Sequence, residues 1–173
     1  PGTASAHDRA YLRQLLSLRN QSAGRVAEID AAIEQAFVRT VAMLVLGFDD
    51  TLQVTIEDMA HHTAAVARTR PGALVVGDLP WLSYHVSREE TVRNAAALVR
   101  AGAGAVKLEG GAKRLESVEA ILDLEIPVMG HLGLTPQSIH AFGGFKVQGK
   151  QLDAAQRIVD DAVALADAGA FAI

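Results

Sequence analysis

Short apolar runs alternate with amphipathic stretches along most of this chain. Apolar positions at helical spacing predict helices over residues 56–68, about 88–101, 113–124 and 152–167. Short apolar runs predict buried segments at 41–46, 73–76, 104–109 and 126–129, with another strand beginning at 171–173. Ser87, followed by Glu90 three residues later, predicts a helix N-terminus through a capping box. Strand-like runs that alternate with helices are typical of parallel α/β architecture.

The chain divides into two segments by this pattern. Residues 7–40 carry apolar positions at helical spacing without a chemical motif, so we predict a divergent helical segment over 1–40. Residues 41–173 supply only four or five strands, whereas a closed eight-stranded barrel needs about 250 residues. We therefore predict a partial TIM-like (β/α) barrel over 41–173, with a smaller open sheet as the alternative.

Composition excludes several classes of function. The formal net charge is −4 and there is no cysteine, so a basic nucleic-acid-binding face, disulfides and thiolate metal sites are not expected. No apolar run reaches the roughly 18 residues of a membrane span, and charged residues interrupt the N-terminus where a signal peptide would need an apolar core. We expect a cytoplasmic protein without a nucleic-acid or membrane partner.

Lys107 and Glu109 are the first candidates for chemistry. They are two residues apart on a predicted strand, so both side chains point to the same side of the sheet. Buried charges must pair or bind something. Two interpretations stay open: a structural ion pair at the strand end, or a carboxylate metal ligand beside a cation that holds an anionic substrate.

Asp78 and His131 also lie where predicted strands end. Asp78 is either the cap of the following turn or a second metal carboxylate, and carboxylates with water and substrate oxygens are the usual ligands of Mg²⁺. His131 follows a strand in a glycine-flanked loop, where a structural and a functional role are both open. His61 and His62 are adjacent on a predicted helix and point apart, which argues against a joint metal site.

At these positions the chain resembles ketopantoate hydroxymethyltransferase (3-methyl-2-oxobutanoate hydroxymethyltransferase). The resemblance covers roughly residues 41–173 and runs through several distinctive motifs in order. They are VLGFDDTL at 45–52, DLP at 78–80, VKLEGG at 106–111, PVMGHLGLTPQS at 127–138 and GGFKVQG at 143–149.

The resemblance implies a (β/α) barrel of the phosphoenolpyruvate/pyruvate superfamily, assembled as a homo-oligomer, a decamer in the family. It implies transfer of a one-carbon unit from 5,10-methylenetetrahydrofolate to the 2-oxoacid 3-methyl-2-oxobutanoate, giving 2-dehydropantoate for pantothenate biosynthesis with Mg²⁺. By the same resemblance, Asp78 and Glu109 match metal-site residues. Asp78, Lys107 and His131 match substrate-site residues.

Two departures from the family pattern qualify the expected activity. Arg39 stands where the family carries a metal-site aspartate in a Gly-Asp-Ser motif, and the family's general base, a glutamate, matches a position beyond Ile173. The catalytic base therefore stays unassigned. The alternatives are a truncated, non-catalytic remnant of the enzyme, or another Mg²⁺-dependent 2-oxoacid lyase of the same superfamily.

Overall fold

The structure is a computed structural model that describes residues 33–36, 40–144 and 146–173. Residues 34–173 form one compact unit. Most of the helical segment predicted over 7–40 lies outside the described residues, and so does Arg39. The domain boundary predicted after residue 40 therefore stays a prediction.

Four strands form one sheet in the order β1-β2-β3-β4. Strand β3 pairs in parallel with both β2 and β4. Ala172 makes a further parallel bridge to Met129 of β4, as the predicted strand at 171–173 requires. The strands are β1 (Ile33–Ala36), β2 (Leu74–Asp78), β3 (Ala105–Glu109) and β4 (Val128–His131).

Within the described residues, three helices connect these strands and two more follow β4. The helices predicted over 56–68, 88–101, 113–124 and 152–167 are confirmed, with shifts of at most two residues at their ends. The helices are α1 (Ile56–Arg68), α2 (Arg88–Arg100), α3 (Leu115–Leu122), α4 (Ile139–Phe142) and α5 (Leu152–Asp167). Strand–helix alternation with a parallel sheet is the predicted architecture. No helix in the described residues is long and apolar enough to cross a membrane.

Local capping explains where two helices begin. The Ser87 hydroxyl accepts a hydrogen bond from the Glu90 N–H at 3.1 Å, which is the first half of the capping box predicted there. A complete box precedes α1. The Thr55 side chain accepts from Asp58 N, and the Asp58 carboxylate accepts from Thr55 N at 3.0 Å.

The core lies between the sheet and the helices. Val106 and Leu108 alternate with Lys107 and Glu109 along β3, and they belong to the buried apolar cluster. That cluster also includes Leu98 of α2, Val118 and Ile121 of α3, and Leu165 of α5. Burying each such side chain contributes about 1.5–3 kcal/mol. The covering helices thus account for one side of β3, leaving its polar residues on the other side.

Three sequence expectations are wrong. The backbone of 33–36 is a strand, not a helix. The run at 41–46 is a π-helical turn over Thr40–Val45, and it is not buried throughout, because Leu44 is 81% exposed. Strand β1 occupies the position beside β2 in the sheet, so the run at 41–46 does not form that neighbouring strand. The stretch at 131–150, predicted as one loop, contains a 3₁₀ turn (Pro136–Ser138) and α4.

Candidate active site

Strand register brings four predicted residues to one edge of the sheet. Asp78 of β2 is the register partner of Lys107 of β3, and Glu109 of β3 is the register partner of His131 of β4. Residues in register on neighbouring parallel strands project to the same side, and residues two apart on a strand do so as well. All four side chains therefore project from one side of the sheet at its carboxyl-terminal edge.

Asp78 and Lys107 form an ion pair inside the protein. Lys107 Nζ lies 2.9 Å from Asp78 Oδ1, and the two side chains are only 6% and 3% exposed. Desolvation of both charges offsets much of the attraction, so such a pair adds little net stability, while removing one partner costs about 3–5 kcal/mol. The ammonium is thus held in place by a carboxylate on the neighbouring strand.

The Glu109 carboxylate is held by a hydrogen bond on one oxygen and faces His131 with the other. Its Oε2 accepts a hydrogen bond from the Gln137 N–H at 2.9 Å, and its Oε1 lies 3.4 Å from His131 Nδ1. The Glu109 side chain is 5% exposed, whereas that of His131 is 33% exposed. His131 therefore marks the open side of the cluster, where a small molecule can approach.

Tyr84 and Gln137 join the site although sequence reasoning assigned neither of them a role. The Tyr84 hydroxyl donates to Gln137 Oε1 at 2.7 Å and accepts from the Glu109 N–H at 3.2 Å. Gln137 lies within a motif that marks the family resemblance, which is the only sequence signal for it. Its contact with Glu109 spans 28 positions, and no local pattern predicts such a pairing.

The environment shifts the pKa values of two neighbouring side chains. Burial, and then the Glu109 carboxylate, raise the pKa of Tyr84 far above its ordinary value, so its hydroxyl remains a donor. Burial, and then the Arg114 guanidinium, lower the pKa of His85 to about 4. His85 is therefore neutral near pH 7.

A pocket of about 150 Å³ beside these residues is lined by Tyr84, His85, Val86, Ser87, Arg88, Lys113, Arg114, Glu116 and Ser117.

The donor set fits Mg²⁺ better than a transition metal. Asp78 and Glu109 offer buried carboxylate oxygens, and Mg²⁺ commonly takes one or two carboxylates with water and substrate oxygens. Within the described ranges, no three His, Asp or Glu side chains converge in the manner of a closed metal site, and this includes His61 and His62 on α1. Two carboxylates that leave positions for substrate suit a hard cation held together with its ligand.

Comparison with solved structures shows the fold. A 2,3-dimethylmalate lyase of the PEP mutase/isocitrate lyase superfamily matches with a TM-score of 0.58 at 16% identity, covering 80% of this chain and 47% of that one. An oxaloacetate acetylhydrolase matches with a TM-score of 0.57 at 13% identity, covering 83% and 51%. The chain thus has the fold of about half of such a barrel, as predicted.

Comparison with curated relatives is more specific. The 3-methyl-2-oxobutanoate hydroxymethyltransferase of Syntrophomonas wolfei subsp. wolfei is 55% identical over 153 residues, covering 87% of this chain and 55% of the relative. A second one, from Bradyrhizobium diazoefficiens, is 59% identical over 134 residues, covering 78% and 46%. The chain spans about half the length of these relatives.

The family profile defines how far the similarity extends. The profile described as "Ketopantoate hydroxymethyltransferase" matches residues 24–173. The match includes residues 24–40, which the motifs alone had left outside the resemblance. Both the profile and the identities of the relatives lead to one conclusion: the chain belongs to the ketopantoate hydroxymethyltransferase family.

Proposed function

We propose that this chain carries the ketoacid-binding part of a 3-methyl-2-oxobutanoate hydroxymethyltransferase site. The observation that carries the proposal is the buried cluster of Asp78, Lys107 and Glu109 with His131 at its open side. Two carboxylates and a lysine at the ends of neighbouring parallel strands lie where barrel enzymes carry their chemistry. The substrate would be 3-methyl-2-oxobutanoate, whose carboxylate and keto oxygen are adjacent.

Each residue of the cluster has a role in this proposal. Asp78 and Glu109 would hold Mg²⁺, which when bound supplies Lewis-acid polarisation of the keto group. Lys107, already oriented by Asp78 at 2.9 Å, would bind the carboxylate of the ketoacid. His131 would contact the substrate from the open side, because a third of its side chain is exposed.

The one-carbon donor in this proposal is 5,10-methylenetetrahydrofolate. The support is the family to which the chain belongs, since a hydroxymethyl group must come from a carrier of formaldehyde-level carbon. The ketoacid would bind between His131 and the buried side chains of the cluster. The folate would approach from the side on which His131 is exposed. Exclusion of water from the buried carboxylates strengthens every charge interaction in such a site.

A homo-oligomer is the proposed assembly, by the same family resemblance. The outer face of α5 supports it. Leu152, Val159 and Val163 are 86%, 54% and 54% exposed, and the helical period places them along one face. A second copy of the chain could bury this stripe. Sedimentation of the chain and of Val159→Lys/Val163→Lys tests the proposal, which a monomeric unaltered chain would contradict.

The decisive experiment on the activity is turnover by the purified full chain. We expect 2-dehydropantoate to form from 3-methyl-2-oxobutanoate only when Mg²⁺ and 5,10-methylenetetrahydrofolate are both present. Glu109→Gln should lower kcat/KM by about 100-fold or more, equivalent to roughly 2.7 kcal/mol of transition-state stabilisation. Glu119→Gln, which removes an exposed carboxylate from α3, is the matched control and should leave turnover unchanged.

Two results would contradict this function. One is that the unaltered chain neither forms product nor binds 3-methyl-2-oxobutanoate in the presence of Mg²⁺, measured by calorimetry, because the ketoacid-binding part of the site is what the proposal assigns to this chain. The other is turnover that Glu109→Gln lowers no more than Glu119→Gln does, because the buried carboxylate would then have no part in the chemistry.

A further inference from the structure

Gln137 connects the loops that follow three neighbouring strands. It lies in the 3₁₀ turn beyond β4, where its backbone N–H donates to Glu109 Oε2 at 2.9 Å. Its side-chain Nε2 donates to the Leu79 carbonyl, just after β2, at 2.8 Å. Its Oε1 accepts from the Tyr84 hydroxyl at 2.7 Å. One residue, 6% exposed, thus fixes the relative positions of the segments that carry the candidate metal carboxylates.

Tyr84 completes a closed circuit of hydrogen bonds. Its hydroxyl donates to Gln137 Oε1 and accepts from the backbone N–H of Glu109 at 3.2 Å. The donors and acceptors of these bonds match. The oxygen of the Gln137 amide faces a donor, the Tyr84 hydroxyl, and its nitrogen faces an acceptor, the Leu79 carbonyl. A buried network that is satisfied in this way is rigid.

The loop that contains Tyr84 is itself fastened. Ser117 Oγ, from α3, donates to the Tyr84 carbonyl at 2.9 Å. Asn94 Nδ2, from α2, donates to the Ser83 carbonyl at 2.7 Å. The backbone at Ser83 and Tyr84 is therefore anchored to two helices, which restricts where the Tyr84 hydroxyl can lie.

We propose that Gln137 and Tyr84 are positioning residues that hold the Glu109 carboxylate in the orientation required to bind the divalent cation. This inference rests on the proposed function. The backbone N–H of Gln137 donates to Oε2 of Glu109, and the Tyr84 hydroxyl fixes the backbone from which the Glu109 side chain projects. Hydrogen-bond partners of metal ligands commonly contribute 10–100-fold to metal affinity.

The test is the affinity of the full chain for Mn²⁺, used as a spectroscopic probe for the Mg²⁺ site and measured by electron paramagnetic resonance of the free ion. Gln137→Met keeps the length of the side chain and the backbone N–H that bonds Glu109 Oε2, but removes the amide that holds this N–H in place through Leu79 and Tyr84. Tyr84→Phe removes the hydroxyl that bonds both the Gln137 amide and the Glu109 N–H. We expect each to raise the Mn²⁺ dissociation constant by about 10–100-fold. Gln156→Met, at an exposed glutamine of α5 that bonds Asp160 at 2.9 Å, is the matched control and should bind Mn²⁺ like the unaltered chain.

A second comparison separates positioning from general stabilisation. In a Glu109→Gln background, Gln137→Met should produce no further loss of Mn²⁺ affinity, because its effect acts through the Glu109 carboxylate. A residue that merely supports the fold would lower affinity by the same factor in both backgrounds. Circular dichroism identifies the folded variants, and Tyr84→Phe, the smaller change, decides the question if Gln137→Met does not fold.

The outcomes distinguish this inference from the proposed function. If the unaltered chain binds Mn²⁺ and both folded variants bind it equally tightly, the positioning role is overturned and the proposed function stands. If the unaltered chain does not bind Mn²⁺, the positioning role and the proposed metal site are overturned together. Weaker binding in both variants, with an unchanged control and no effect in the Glu109→Gln background, supports the inference.

Discussion

Each acidic residue of the candidate site lies beside a titratable side chain of the neighbouring strand. Asp78 faces Lys107 at 2.9 Å, and Glu109 lies beside His131 at 3.4 Å. The Lys107 ammonium compensates the Asp78 charge, and the Gln137 N–H donates to the Glu109 carboxylate, so each buried carboxylate has its own partner at the sheet edge.

His85, which lies next to this site, makes the free energy of unfolding depend on pH. Its pKa is lowered to about 4 by burial and then by Arg114, with Glu109 acting in the opposite direction, against about 6.5 in the unfolded chain. Between these values the unfolded chain binds more protons, so acidification from pH 7 to pH 4 destabilises the fold. We expect a contribution of about 1–2 kcal/mol after allowance for solvent screening of this half-buried group.

Urea denaturation at pH 7, 5.5 and 4 measures this contribution. His85→Gln should lose stability less steeply on acidification than the unaltered chain, by the amount just given. His61→Gln, at an exposed histidine of α1, should follow the unaltered chain at every pH. Parallel pH profiles for His85→Gln and the unaltered chain would contradict the prediction.

For individual residues, the sequence predicts which charged side chains belong to the candidate site better than it predicts the residues that they contact. Lys107 and Glu109 could be placed on one side of a strand because side chains alternate with a period of two. Register, which pairs Asp78 with Lys107, depends on how three separate segments align, and no local pattern specifies that. Gln137 and Tyr84 were missed for the same reason: polar residues in loops reveal their role only through contacts distant in sequence.

Among the elements, α5 is attached to the loop after β3 by one close contact. Asp161 Oδ1 accepts a hydrogen bond from the Ala112 N–H at 2.8 Å. The Asp161 carboxyl fills the space beside Gly111, where an added Cβ would lie 2.0 Å from its Cγ. The glycine thus permits a helix from a later part of the chain to cap the segment that leaves Glu109.

Gly111→Ala should therefore destabilise the protein by about 1–3 kcal/mol, the usual cost of forcing extra atoms into a packed site. The cause is displacement of the Asp161 side chain and loss of its bond to Ala112. Thermal and urea denaturation measure the change. Gly72→Ala is the matched control, because a Cβ there meets no atom within 4 Å.

The role of Asp161 is tested by combining changes. In an Asp161→Ala background the cost of Gly111→Ala should fall, since the group that the new methyl displaces is absent. An equal cost in both backgrounds would show that backbone strain at Gly111, rather than Asp161, accounts for the destabilisation.

Element prediction succeeded where amphipathic periodicity was strong. Helix α5 was predicted with its observed bounds, Leu152–Asp167, because its polar and apolar faces are clearly separated. The run at 41–46 misled because uniform hydrophobicity cannot distinguish a strand from a turn of helix. Whether such a run forms a strand depends on whether the position beside β2 in the sheet is free. Strand β1 occupies that position.

For the whole molecule, similarity to relatives and packing agree on a partial barrel. The chain covers about half of each relative and about half of the barrel structures it matches. It nevertheless brings the buried candidate carboxylates and lysine, and the partly exposed histidine, to one edge of the sheet. The strand edge that positions them is formed by β2, β3 and β4, so binding at the site should be linked to the stability of the whole sheet.

This linkage predicts a cooperative thermal shift. A ligand present at ten times its dissociation constant stabilises the folded chain by about 1.4 kcal/mol, which raises Tm by roughly 3–6 °C in a protein of this size. We expect Mg²⁺ and 3-methyl-2-oxobutanoate together to raise Tm by more than the sum of their separate effects, because the ketoacid supplies oxygen ligands that two carboxylates leave open. Differential scanning calorimetry measures the shift. Glu109→Gln should abolish the excess and Glu119→Gln should retain it, whereas a ketoacid effect of the same size without Mg²⁺ would show that the two bind independently.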